Sequence, residues 1–171
     1  MKDHLSELEQ DLVSSLGYSR VPFDPQISVH RFVFDPAFDA PSLVEFQLGS
    51  AYAEVSLTLI PYIASNTALV GRWQDIEVLS AQLRDKIANA VETMRPFDLP
   101  DLITNSRDGI AARYRLISHS GTKGFDVFNP DVSCGRVQRD WLALTLKVVQ
   151  EVFDDPELAR YLVDLHRRFV L

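Results

Sequence analysis

The chain changes its apolar period several times. Leu5, Leu8, Leu12, Val13 and Leu16 recur at helical spacing and predict an amphipathic helix over residues 3–16, closed by Gly17. Glu7, Gln10, Asp11 and Ser14 form its outer face. Residues 18–26 contain Pro22 and Pro25 and read as loop. Residues 27–34 are rich in β-branched and aromatic side chains and predict a strand, which Asp35-Pro36 ends. Residues 43–48 and 51–62 predict a hairpin turning at Gly49-Ser50. In its second arm Val55, Leu57 and Leu59 alternate with Glu54, Ser56 and Thr58, the period of an antiparallel sheet with one wet face.

Residues 63–72 read as loop and Asp75 as the cap of a second helix. Its stripe runs through Ile76, Leu79, Leu83, Ile87, Ala90, Val91 and Met94, and Arg95-Pro96 stops it. A connector over residues 96–106 leads into a second hairpin. There Ala112, Tyr114 and Leu116 share one face, Arg113, Arg115 and Ile117 the other. The turn, over residues 120–124, is expected to be longer than two residues. A third helix over residues 137–153 carries Val137, Trp141, Leu144, Val148 and Val152 beside Leu142, Leu146, Val149 and Phe153, a stripe wide enough to make it the most buried helix. Asp155-Pro156 opens a fourth helix with Leu158, Tyr161, Leu162, Leu165 and Phe169 inside.

These elements predict an α+β fold, a mainly antiparallel sheet of about five strands with helices packed on one face. The simplest division is a single domain of residues 1–171. Hairpin, loop and helix occur twice, which suggests two β-β-α units over residues 27–95 and 107–171. Gly71-Arg72-Trp73-Gln74-Asp75 and Gly135-Arg136-Val137-Gln138-Arg139-Asp140 resemble each other at matching places, although the rest of the two units does not align.

At 171 residues one core can bury about 70% of the unfolded surface, so no covalent staple is needed. A net charge of −7 argues against phosphate-directed binding to nucleic acid and permits a basic protein partner. Cys134 is the only cysteine, which excludes an internal disulfide and argues against a cysteine-based metal cluster. Lys2, Asp3 and Glu7 stand where a secretory signal would be apolar, and no run approaches the ~20 apolar residues of a membrane span. A cytoplasmic protein is expected, with no membrane association.

Aspartate follows phenylalanine at Phe23, Phe34, Phe38, Phe97, Phe125 and Phe153, six of ten phenylalanines. The phenylalanine anchors the end of an element and the aspartate caps the turn. The same aspartates could form an acidic rim for a partner, with Asp24, Asp35 and Asp39 in one loop-rich region. Glu151 and Asp154 are a second set, since they close a helix where the macrodipole disfavours negative charge. The histidines, His4, His30, His119 and His166, lack ligand spacing and read as surface or edge residues. Arg113, Arg115 and Lys123 make the second hairpin basic, and pairing with acidic helices of the same molecule is the expected outcome.

A catalytic arrangement can be drawn with Cys134 as nucleophile, His119 as base and Asp126 as orienter, but no nucleophile elbow, phosphate loop or dinucleotide fingerprint accompanies it. The expected function is therefore non-catalytic: an acidic inhibitor, an immunity-type protein or an adaptor that binds and masks another protein. No cofactor or metal is expected, and self-association into a homodimer is compatible with the sequence. The alternatives are a small cytosolic hydrolase using Cys134 and His119, or a small-molecule sensor with its pocket between the sheet and the third helix.

Overall fold

A computed structural model describes residues 2–15, 24–37, 39–60, 73–103, 109–129 and 135–170. The first helix, α1 (Lys2–Ser15), buries Leu5 and Leu12 and turns Glu7, Gln10, Asp11 and Ser14 outward, as the periodicity predicts. The expected cap Gly17 lies outside the described residues, as do most of the loop after it and residues 61–72. Three antiparallel strands follow: β1 (Ser28–Pro36), β2 (Ser42–Leu48) and β3 (Ala53–Leu59).

Residues 73–78 then depart from expectation. They form a strand, β4 (Trp73–Val78), antiparallel to β3, where the periodicity predicts the start of a helix. The helix, α2 (Ala81–Met94), begins later, with Ser80 Oγ accepting the amide of Leu83. Ile76 and Leu79 fit a helical stripe, but Asp75-Ile76-Glu77-Val78 alternates with period two, and pairing to β3 selects that period. Arg95, in the left-handed region at φ 46°, caps α2 and leads into a 3₁₀ turn, Pro96–Asp98.

The second half contains β5 (Leu102–Ile103), β6 (Ile110–Ser118), β7 (Gly121–Phe128), α3 (Arg136–Val152) and α4 (Pro156–Val170). The β6–β7 hairpin turns on His119 and Ser120 alone, tighter than expected, because Gly121 and Gly124 belong to the return strand. At Gly124 (φ +152°) a Cβ would stand 2.0 Å from the Tyr114 carbonyl oxygen. Gly124→Ala is therefore expected to destabilise the protein by about 1–3 kcal/mol, read as a lowered urea midpoint. An unchanged midpoint would show that the hairpin relaxes at no cost. Asp155 caps α4 as predicted, its Oδ1 accepting the amides of Glu157 and Leu158.

The sheet order is β4-β3-β2-β1-β6-β7-β5. Six strands are antiparallel, one more than expected, and the two-residue β5 adds a parallel edge to β7. One face meets α2, α3 and α4 through Phe32, Phe34, Val44, Phe46, Val55, Leu57, Tyr114 and Phe125. The helices are not confined to that face. Val33, Leu43 and Ala111 on the other side pack against Leu5 and Leu12 of α1. A two-sided sheet needs apolar residues in both registers, and β1 has them, with Val29 and Val33 on the face opposite Phe32 and Phe34. Ser56 and Thr58, expected on a wet face, are likewise buried. Helix α3 is deeply buried as predicted, with Trp141, Leu142, Leu146, Val148 and Val149 inside, although Val137 is exposed. The two similar stretches take different structures: Trp73-Gln74-Asp75 is strand and Arg136 to Asp140 is helix, while Gly71 and Arg72 lie outside the described residues.

Candidate partner-binding site

The arginines of the second hairpin point inward, toward α1. Arg113 stands opposite Asp126 in the β6–β7 register and donates to both its oxygens, Nε to Oδ1 and Nη2 to Oδ2, each at 2.8 Å. Its Nη1 donates to Ser6 Oγ (2.9 Å) and Glu9 Oε2 (3.1 Å) on α1. The other Glu9 oxygen accepts from Arg31 Nη1 at 3.0 Å, and Arg31 Nε donates to the fully buried Glu45 at 2.8 Å. Arg115 adds a 2.7 Å bond to Asp126 and also donates to the Tyr114 and Phe125 carbonyls. Hydrogen bonding to Asp126 raises the Arg113 pKa above its ordinary value, against the effect of burial. Of the three basic residues of this hairpin, Arg113 thus makes the expected pairing with an acidic helix, α1, whereas Arg115 pairs with Asp126 of β7 and Lys123 with Asp98 of the 3₁₀ turn.

Of the residues drawn as a catalytic group, His119 is exposed in the β6–β7 turn. Asp126 lies six residues beyond Ser120, about 20 Å along β7, and is held by Arg113 and Arg115. The structure does not bring Asp126 to His119, and Cys134 lies outside the described residues.

His30 departs from the surface placement expected of the histidines. It is 2% exposed, with Nδ1 3.0 Å from the Tyr114 hydroxyl and Nε2 3.1 Å from Ser28 Oγ. Burial lowers its pKa to about 4 and raises that of Tyr114. Trp141 of α3 packs on Phe32 and Tyr114 with ring centroids 5.5 and 5.6 Å apart, so aromatic rings fill this part of the space where a sensor pocket was expected.

The acids proposed for a partner separate. Asp24 accepts the amide of Gln26, Asp39 that of Ala40, and Asp35 pairs with His4 at 2.9 Å. Asp24 and Asp35 flank opposite ends of β1, a nine-residue strand about 30 Å long, so they do not make one rim. Turn and pairing chemistry accounts for all three. Glu151 pairs with Lys86 of α2 at 3.1 Å. Asp154 is different: it is exposed, makes no hydrogen bond or ion pair among the described residues, and lines a groove.

That groove, about 400 Å³, lies between β4 and the α3–α4 junction and is lined by Asp75, Glu77, Val152, Phe153, Asp154 and Asp155. Of its four carboxylates, Asp155 caps α4 and Asp75 accepts the amide of Ile76. Glu77, like Asp154, has no partner among the described residues. Strand β4 is the edge of the sheet, and residues 74–78 are all exposed, whereas β2 and β3 are almost wholly buried. On the side away from the groove Ile76 is 40% and Val78 67% exposed. The sequence reading missed Asp75 and Glu77 as groove residues because a helix starting at Asp75 would have scattered them around an axis. Alternation with Ile76 and Val78 was the available signal.

Among the described residues no group of three His, Cys, Asp or Glu side chains is placed to hold a metal ion, and no helix is long and apolar enough to cross a membrane. No protein-family model matches the chain, and no curated protein sequence matches it either.

Proposed function

We propose that this chain is a non-catalytic protein-binding protein, an acidic inhibitor, immunity-type or adaptor protein, whose partner docks on the β4 edge. The observation that carries this reading is the pair of unpartnered carboxylates, Glu77 and Asp154, beside an exposed edge strand with apolar side chains on its other face. Glu9, Glu45 and Asp126, by contrast, are held inside the fold by Arg31, Arg113 and Arg115. An edge strand is normally blunted or covered, and here a partner would cover it. Charge at the rim of such a surface governs the association rate and its salt dependence.

The test uses Glu77→Lys/Asp154→Lys, a double variant that breaks no internal contact. Wild type is expected to retain a stoichiometric basic partner from its source cells at low salt, and the variant to lose it while keeping its melting temperature. Identical retention by both proteins would remove the β4 edge from the function.

A further inference from the structure

We propose that the β4 edge takes an extended basic segment of the partner as an additional strand of the sheet, a mode that rests on the partner-binding reading above. The backbone shows which groups are available. The Leu79 amide donates to the Ala53 carbonyl, while the Ile76 amide turns to the Asp75 side chain. Odd-numbered residues of β4 therefore bond to β3, and Gln74, Ile76 and Val78 direct their amides and carbonyls outward. Asp75 Oδ1 holds the Ile76 amide at 2.8 Å, a contact an incoming carbonyl would replace.

The two faces of β4 specify the occupant. Asp75 and Glu77 face the groove with Asp154, and Ile76 and Val78 face the other way. A strand laid alongside would place alternate side chains against carboxylates and the intervening ones beside isoleucine and valine. The complementary segment therefore reads Lys or Arg at every second position with β-branched residues between, over about six residues, the length of β4. A second copy of this chain fits less well. Antiparallel self-pairing of β4 would bring the Asp75 and Glu77 carboxylates of the two copies together on one face.

The experiment measures fluorescence anisotropy of labelled peptides with the full chain. The probes are alternating Lys-Val-Lys-Val-Lys-Val-Lys, a block peptide of the same composition, and the alternating peptide N-methylated at a central lysine and a central valine. The alternating peptide is expected to bind wild type at least tenfold more tightly than either control. Its affinity should fall at least tenfold on Glu77→Lys/Asp154→Lys and on Ile76→Pro, whose ring blocks an outward amide and spares the β3 ladder. If Ile76→Pro does not fold, the N-methylated peptide on wild type decides the question. Equal binding of block and alternating peptides, both weakened by charge reversal, would overturn strand addition and leave acidic docking standing. Binding indifferent to charge reversal, or no binding to any peptide with no basic partner retained from cells, would overturn both.

Discussion

Replacing Arg113 with alanine is expected to lower the stability of the protein by about 3–5 kcal/mol, the cost of breaking a buried, hydrogen-bonded ion pair and leaving Asp126 with Arg115 alone. The side chain is 6% exposed and that of Asp126 2%. Truncation removes the paired bonds to Asp126 and the bonds to Ser6 and Glu9 that tie α1 to the sheet. For a chain of 171 residues this corresponds to a fall in melting temperature of about 6–20 °C. The double variant Arg113→Met/Asp126→Leu should recover part of the loss, because replacing a buried pair by apolar groups costs less than breaking it. Arg115 then loses a partner, but it is 21% exposed and keeps its bonds to two carbonyls. Thermal unfolding of wild type, Arg113→Met, Asp126→Leu and the double variant gives the coupling energy directly. A loss below about 1 kcal/mol for Arg113→Ala would mean that Arg115 and entering water suffice for Asp126.

The same cluster shows why the sequence revealed the elements better than their arrangement. The inner stripe of α1 was legible from Leu5, Leu8 and Leu12, and Asp155-Pro156 marked the start of α4 by local chemistry alone. Which side of the sheet α1 would cover was not legible, because it depends on Glu9 meeting two arginines from strands far along the chain. Alternation in β6 put Arg113 and Arg115 on one face correctly, yet alternation cannot say whether that face meets water or a helix. His30 illustrates the same limit. Its type suggests a surface residue, and only the arrival of Tyr114 and Trp141 around it makes it interior. The acidic groove failed for a different reason, a choice of period at residues 73–80. That stretch carries apolar residues compatible with both three- or four-residue and two-residue spacing, and the open hydrogen bonds of β3 decided between them. Long-range pairing outranks local propensity wherever a strand edge needs a neighbour.

His30 should also make stability fall with acid before the carboxylates titrate. Its ordinary pKa of 6.5, expected in the unfolded chain, drops to about 4 in the fold because burial disfavours the imidazolium. Between those values the unfolded state binds more protons, so each downward step in pH favours unfolding. The stabilisation is fully present above about pH 6.5 and is lost progressively toward pH 4, a total of about 3 kcal/mol, with about 2 kcal/mol gone between pH 7 and pH 5. His166, also lowered by burial and by Lys147, adds a slope of the same sign. Removing His30 alone would orphan the Tyr114 hydroxyl, so the informative variant is His30→Phe/Tyr114→Phe, which removes both partners of the 3.0 Å bond. Urea titrations at pH 7, 6 and 5 should show the wild-type midpoint falling steeply and that of the variant falling only by the His166 share. Parallel declines in the two proteins would mean that His30 is protonated in the folded state at no cost, and that its contacts with Ser28 and Tyr114 accept a charge the surrounding rings were expected to exclude.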